Sequence, residues 1–299
     1  MTDFEKVEGT RVGAYGIAVT GLADQDDALV GAAPHWPTVR ILSYRGPPQR
    51  PAPSINQSRA VFPDGEDGYA IVDGVSGTAT FTGPRPPESD ELLHPRLGMV
   101  GAVYAQWLGR EAFHAGAFIH RDLAWAVVGD GHAGKSSLLA ALYAAGTPVV
   151  CDDTLVVSGG MCVSGPRCID LRGAASERLG IQDCDLSVRR GGRLRLRLGP
   201  ASRSAPLAGW VFLRWGEDYA LEPIPAADRV VRIGERRGWH RRGVNEPRRL
   251  LELASLPAWE LRRPPDWRLM PETVQMLHAT LDAVRQPRCL EQQASSGIG

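Results

Sequence analysis

The sequence predicts an α/β protein in which a mixed sheet with flanking helices is preceded by a small β-rich N-terminal domain. Three observations support this prediction. The apolar run Leu123–Val128 leads into the glycine-rich stretch 129–136, and an alanine- and leucine-rich segment follows it. A second apolar run, 147–151, ends in two aspartates. Before residue 90, short segments of strand-forming residues alternate with glycine-rich turn signals, which is typical of β structure.

Residues 1–90 are predicted to form the β-rich domain. Asp-Gly pairs at 64–65 and 73–74 separate segments rich in β-branched and aromatic residues, and we expect these segments to pair as a small antiparallel unit. The proline-rich stretch 46–53 predicts an exposed connector. The predicted strands are Tyr15–Thr20, Val39–Tyr44, Arg59–Phe62, Tyr69–Val72 and Thr78–Thr82.

The segment 90–107 carries apolar residues at helical spacing, so it is predicted to be a helix that packs against the second sheet and marks the domain boundary. The second domain is expected to span 91–285, with a last helix over Pro271–Val284. The polar residues 286–299 predict a disordered tail.

The glycine-rich stretch reads Gly-Asp-Gly-His-Ala-Gly-Lys-Ser and matches the G-x-x-x-x-G-K-[ST] pattern of a phosphate-binding P-loop. Between a strand and a helix, its backbone N–H groups would form a concave site for phosphate oxygens. Lys135 supports this reading, because the only other lysine is Lys6 and all remaining basic residues are arginines. The alternative is an ordinary glycine-rich turn. The residues expected around ATP are Gly129, Gly131, His132, Ala133, Gly134, Lys135, Ser136 and Ser137.

The acidic pair Asp152-Asp153 begins 17 residues beyond Lys135. If the intervening segment is a right-handed strand–helix–strand crossover, both strands end at the phosphate side of the sheet. Phosphoryl transfer could then use one of the two carboxylates to accept a hydroxyl proton, while the other holds Mg²⁺ together with Ser136. The alternative is that the two aspartates only cap or turn the chain.

The motifs from Phe113-His-Ala-Gly-Ala-Phe118 through the loop to Val149-Val-Cys-Asp-Asp153 resemble the catalytic domain of HPr kinase/phosphorylase and related proteins. That group includes serine kinases of peptides, among them the lasso-peptide precursor kinases, and it shares its fold core with phosphoenolpyruvate carboxykinase. The resemblance covers roughly 91–285. It implies ATP-dependent phosphorylation of a hydroxyl, usually of serine, and a possible homo-oligomer.

Residue by residue, the resemblance implies that His114 lies near the transferred phosphate and that Asp152 is the general base. Its acidic neighbour Asp153 is then expected to hold Mg²⁺ with Ser136. Asp170-Leu-Arg-Gly173 resembles the Glu-Ile-Arg-Gly signature of the HPr kinases. This match makes Asp170 a candidate metal ligand and Arg172 a candidate contact to phosphate.

The predicted function is therefore an ATP- and Mg²⁺-dependent kinase whose acceptor is a hydroxyl, with serine of a peptide or small protein favoured. Two alternatives stay open at this point. One is a kinase of a free small molecule such as an amino acid or a sugar. The other is a non-catalytic ATP-binding accessory or regulatory protein.

Two arginine-rich segments follow. Arg193, Arg195 and Arg197 alternate with leucines, which predicts a strand with either a solvated arginine face or a row of guanidinium groups for phosphate or an acidic peptide. The segment 229–249 is richer still in arginine, and ordinary helix surface, a peptide-docking segment and a nucleic-acid contact are all open readings.

Composition excludes few classes of protein. The formal net charge is +0, so nothing points to nucleic acid or an anionic membrane as a partner, and the charged N-terminus predicts a cytoplasmic protein. Five cysteines without a Cys-x-x-Cys pair predict reduced thiols. The remaining histidines are not paired at metal-ligand spacing.

Overall fold

A computed structural model describes residues 11–179, 186–189, 192–238 and 247–284, and these form a mixed α/β structure with three sheets. The tail 286–299, for which disorder is predicted, lies outside the described residues. Within the described ranges, none of the helices has the length and apolar character needed to cross a bilayer.

The first sheet has eight strands in the order β3-β1-β2-β4-β8-β7-β6-β5. The five predicted strands are present, although the first begins at Ile17 because Tyr15 and Gly16 form a turn. The purely antiparallel arrangement is wrong, because β4 runs parallel to both β2 and β8. Parallel neighbours need long connections, and the stretches 21–37 and 46–77 supply them. The strands are β1 (Val12–Ala14), β2 (Ile17–Thr20), β3 (Val30–Gly31), β4 (Thr38–Arg45), β5 (Ser54–Ile55), β6 (Arg59–Asp64), β7 (Gly68–Asp73) and β8 (Thr78–Gly83).

The continuous helix predicted over 90–107 is wrong in its first half. The segment consists of α1 (Ser89–Glu91), a wider helical turn over Leu92–Arg96 and α2 (Leu97–Trp107). His94 leaves the helical conformation with φ −152° and ψ 129°, because a residue before proline is sterically excluded from the α region. The apolar spacing of α2 is confirmed by its buried face.

The second sheet runs in the order β12-β10-β11-β18-β14-β13-β9, with β20 and β19 added beside β18. Its central strands β11, β18 and β20 are parallel, and its other pairs are antiparallel. The strands are β9 (Glu111–Phe113), β10 (Ala115–His120), β11 (Leu123–Val128), β12 (Val149–Cys151), β13 (Leu155–Ser158), β14 (Met161–Val163), β18 (Ser204–Trp215), β19 (Ala220–Pro223) and β20 (Ala258–Arg263).

A third sheet, in the order β15-β17-β16, lies beside this core. Its strands are β15 (Cys168–Arg172), β16 (Leu186–Val188) and β17 (Arg193–Arg197). The strand predicted around 193–197 is confirmed, but a wholly solvated arginine face is wrong, because Arg195 is buried against Asp170. The remaining helices are α3 (Lys135–Ala144), α4 (Gly173–Leu179), α5 (Ala226–Gly234), α6 (Pro247–Ser255) and α7 (Met270–Ala283).

One apolar core joins the first sheet, α2 and part of the second sheet, and a second core lies under α3 and α7. Tyr15 of the N-terminal region shows how closely the parts fit, because a side chain at Gly101 or Gly165 would lie within 3 Å of its atoms. The division of the chain at residue 90 stays a prediction. The described cysteines, Cys151, Cys162 and Cys168, are buried and free.

Candidate active site

The glycine-rich loop lies where the sequence predicts it. β11 ends at Val128 and α3 begins at Lys135, so the loop connects the carboxyl end of a strand to the start of a helix. His132 and Gly134 turn the chain with φ of 70° and 84°, in the left-handed region. The side chain of Lys135 is buried and its Nζ donates a hydrogen bond to the carbonyl of Gly129, at 2.9 Å.

The topology brings the acidic pair to the same edge of the sheet. β11 and β12 are each antiparallel to β10, which lies between them, so they are parallel to each other. Because β10 runs the opposite way, its first residues lie at the edge where β11 and β12 end. His114 directly precedes β10. It is therefore placed between the loop and Asp152-Asp153, across the width of two strand spacings, about 10 Å.

His114 bridges the two halves of the site. Its Nε2 lies 3.1 Å from Lys135 Nζ, and its Nδ1 lies 3.3 Å from a carboxylate oxygen of Asp153. Burial lowers the pKa of Lys135, and the nearby carboxylates of Asp153 and Asp152 oppose that shift. Within the described residues no carboxylate is in direct contact with the ammonium group, and after its contacts to the Gly129 carbonyl and to His114 one of its three N–H donors is left for a phosphate oxygen.

The two aspartates face different surroundings. Asp152 is 3% exposed, and the hydroxyl of Ser136 donates to its Oδ1 at 3.1 Å. Burial, followed by the charge of Asp153, raises the pKa of Asp152 from 3.8 to about 7. Asp153 has a side chain that is 40% exposed and a backbone in the left-handed region, with φ 68°. Asp152 therefore turns toward the loop, and Asp153 turns toward His114 and solvent.

A cavity of about 340 Å³ opens beside His114 and Asp153. Its walls come from the segment before α2, from α2, from β9 and from Gly238, and most of them are small or apolar. Arg96 and Asp64 also line it, and Arg96 Nε donates to both carboxylate oxygens of Asp64, each at 2.9 Å. The lining therefore includes both the His114–Asp153 pair and an ion pair whose charges neutralise each other.

Asp170 does not have the surroundings expected of a metal ligand. Arg195 Nε donates to its Oδ1 at 2.9 Å, and Arg189 contacts its Oδ2. Two guanidinium groups already balance its charge, so a cation would have to compete with them. Arg172 is exposed at the end of β15, and no hydrogen bond or ion pair joins it to the loop within the described ranges. The roles of Asp170 and Arg172 stay predictions.

The oxygen donors at the loop fit a magnesium ion. In the part of the chain that the structure describes, no three His, Cys, Asp or Glu side chains are grouped to hold a metal by themselves. Mg²⁺ commonly binds through one or two protein oxygens together with water and substrate phosphates. The adjacent oxygens of Ser136 and Asp152 meet that requirement, and a cation bound there would stabilise the ionised form of Asp152, which burial and the charge of Asp153 disfavour.

Two side chains near the loop were not identified from the sequence. Arg236 forms an ion pair with Asp130 of the loop at 2.6 Å, and its carbonyl accepts a hydrogen bond from the N–H of His114. Trp215 donates from its indole N–H to the carbonyl of His132 at 3.0 Å. Both come from distant parts of the chain. Arg236 belongs to the arginine-rich segment already noted, but nothing in the local pattern singles it out.

No protein-family model matches this chain, and no characterised protein matches its sequence. Among solved structures, the Hpr(Ser) kinase/phosphatase from Coxiella burnetii is similar over 57% of this chain and 97% of that one, with 11% identity and a TM-score of 0.30. A likeness at this level carries no argument about activity. The functional assignment depends on the residues of this chain.

Proposed function

We propose that this protein is an ATP- and Mg²⁺-dependent kinase that transfers the γ-phosphate to a hydroxyl group, with serine of a peptide or small protein as the favoured acceptor. The observation that carries the proposal is the convergence of a complete loop, Lys135, His114 and the acidic pair at one edge of the sheet. A module that only binds nucleotide has no need of an exposed carboxylate–histidine pair beside the phosphate site.

Binding of ATP follows from the loop. The N–H groups of 131–136 and the Lys135 ammonium hold the phosphates, and the start of α3 adds its positive dipole end. Arg236 is near enough to contribute, because its present partner Asp130 belongs to the loop itself. When a phosphate binds, the guanidinium of Arg236 could exchange its contact with the Asp130 carboxylate for a contact with a phosphate oxygen.

The contacts favour the opposite assignment of the two aspartates from the one expected from the sequence: Asp152 as the Mg²⁺ ligand and Asp153 as the general base. Asp152, hydrogen-bonded to Ser136, is the carboxylate placed to hold Mg²⁺ with that hydroxyl. The ion would neutralise charge on the β- and γ-phosphates. Asp153 lines the cavity and contacts His114. We therefore assign it the role of the general base that accepts the proton of the attacking hydroxyl.

The cavity supports an acceptor that presents its hydroxyl on a short side chain. Met99, Ala102 and Phe113 contribute apolar surface to this cavity, and Asp153 is among the residues that line it. The paired charges of Asp64 and Arg96 offer one donor group and one acceptor group to a peptide backbone.

The test is incubation of the purified protein with ATP, Mg²⁺ and separate panels of serine-containing peptides, amino acids and sugars. Intact mass and nucleotide chromatography report the products. We expect one added phosphate on a peptide hydroxyl, with stoichiometric ADP. If ATP binds but no acceptor gains phosphate, the protein is an accessory ATP-binding protein and the kinase proposal fails.

Two isosteric variants separate the aspartate roles, with the exposed Asp67→Asn as a control for loss of a charge. Asp152→Asn should weaken Mg²⁺-dependent ATP binding at pH 8, because it removes the carboxylate beside Ser136. Asp153→Asn should bind MgATP like the parent and lower turnover by a factor of 100 or more, on the order of the usual contribution of a general base. The opposite pattern would restore the roles expected from the sequence.

A further inference from the structure

Beside the loop lies an aromatic side chain for which the phosphate chemistry has no use. Trp215 is 40% exposed although it is a large apolar residue. It ends β18, which runs parallel to β11, and the last paired residue of β11, Val128, is opposite Phe212. Arg214 and Trp215 therefore extend past the end of β11, alongside the loop that follows it.

The indole ring is fixed in place at the loop. Its N–H donates to the carbonyl of His132, and its six-membered ring lies 3.3 Å from the position that a Cβ at Gly134 would occupy. Only glycine at 134 allows so close an approach, and its φ of 84° is also in the region that favours glycine. The ring thus borders the phosphate site directly.

A buried arginine lies over this ring. The guanidinium carbon of Arg263 lies 4.4 Å from the ring centroid of Trp215, and the residue is 4% exposed. Its Nε and Nη2 have no hydrogen-bond partner within the described residues, and Nη2 would be 2.6 Å from a Cβ at Gly134. Burial lowers the pKa of Arg263 to about 10. A cation held here without a carboxylate partner is suited to an anionic ligand at the loop.

On the basis of the proposed function, we propose that Trp215 is the platform on which the nucleotide base stacks, with Arg263 over the opposite face of the ring. Every base has a π face, so an exposed indole next to a phosphate site recognises a nucleoside rather than phosphate alone. The site therefore takes a nucleoside triphosphate, and it should discriminate against inorganic polyphosphate. Because stacking is tolerant of base identity, this platform by itself does not favour adenine over guanine.

The experiment measures Kd by calorimetry for MgATP and for magnesium tripolyphosphate, which lacks the nucleoside. Stacking contributions usual for aromatic platforms correspond to a roughly tenfold to hundredfold change in Kd. We expect Trp215→Ala to weaken MgATP by at least about tenfold and to change tripolyphosphate by less than about twofold. Trp215→Phe, which keeps a stacking ring but loses the N–H, should bind MgATP within about threefold of the parent.

Trp267→Ala is the matched control, because Trp267 also has an arginine, Arg178, over its ring at 5.7 Å. It should leave both affinities unchanged. Equal weakening of both ligands by Trp215→Ala would mean that the indole acts by holding the loop, and this would overturn the platform. So would an unchanged Kd for MgATP. If the parent binds tripolyphosphate but Trp215→Ala does not selectively weaken MgATP, the base-stacking proposal is wrong and the phosphate site is still supported. If the parent binds neither ligand, the proposed function is wrong as well.

Discussion

Replacing Asp152 by asparagine should change stability in a way that depends on pH. Asp152 is 3% exposed, and burial together with the charge of Asp153 raises its pKa from 3.8 to about 7. The ionised form is therefore disfavoured in the folded protein without ligands. Asparagine has nearly the same shape and can still accept the hydrogen bond from Ser136, but it carries no charge.

The magnitude follows from proton linkage. Between pH 3.8 and about 7 the folded state keeps a proton that the unfolded chain has lost, so the free energy of unfolding falls as pH rises. About 3 pH units at 1.36 kcal/mol per unit correspond to about 4 kcal/mol. Asp152→Asn removes this decrease in the free energy of unfolding, because asparagine does not ionise. The variant should be close to the parent at pH 4 and more stable than the parent by up to about 4 kcal/mol at pH 8.

Urea unfolding at several pH values, without nucleotide or Mg²⁺, measures this difference. The exposed Asp67→Asn serves as the control and should show no comparable trend. Asp153→Asn should show part of the trend, because removing its charge lowers the pKa of Asp152. A constant difference between Asp152→Asn and the parent from pH 4 to pH 8 would refute the reasoning, since it would mean that Asp152 ionises as easily in the fold as in the unfolded chain.

Three further predictions concern binding, packing and reactivity. Lys135→Met should raise the Kd for MgATP by a factor of about 100 or more, because the ammonium is lost. The far-UV circular dichroism spectrum should be preserved, because the apolar part of the side chain is kept. An unchanged Kd would contradict the role of Lys135 in binding phosphate. Gly101→Ala should lower the free energy of unfolding by about 1–3 kcal/mol, since its Cβ would lie 2.6 Å from Tyr15, whereas Gly173→Ala, with open space around it, should be neutral. Iodoacetamide at pH 8 should not label the buried thiols Cys151, Cys162 and Cys168 in the native protein, because burial raises the pKa of each. Early labelling of these cysteines in peptide mapping would contradict this.

Local sequence patterns are enough to predict much of the fold. The strand Leu123–Val128, the loop and the helix after it were predictable because apolar runs and glycines have strong local preferences. The same holds for the five N-terminal strands, which are separated by clear turn signals. The direction of β4 was not predictable, because parallel and antiparallel pairing depend on how distant segments meet.

The candidate site was predictable only where its residues belong to the short strand–loop–helix–strand unit of residues 113–153. His114 contacts both Lys135 and Asp153, while the roles of these residues stay predictions. In contrast, Arg195 alternates with leucines like any exposed strand residue, and its burial depends on meeting Asp170 from another strand. Trp215 likewise lies at the loop only because β18 extends beyond its partner β11. The relative lengths and register of these two strands cannot be predicted from local sequence patterns.

The fit of Tyr15 against Gly101 and Gly165 has a consequence for how the protein forms during synthesis. The ribosome delivers the first sheet before it delivers the segments that cover Tyr15. Until residues up to about 165 have emerged, this ring and the apolar face around it stay open to solvent and to other chains. A chain that begins at residue 91 would leave the complementary surface of α2 bare. Each part of the chain therefore buries apolar surface that the other part would leave open to solvent.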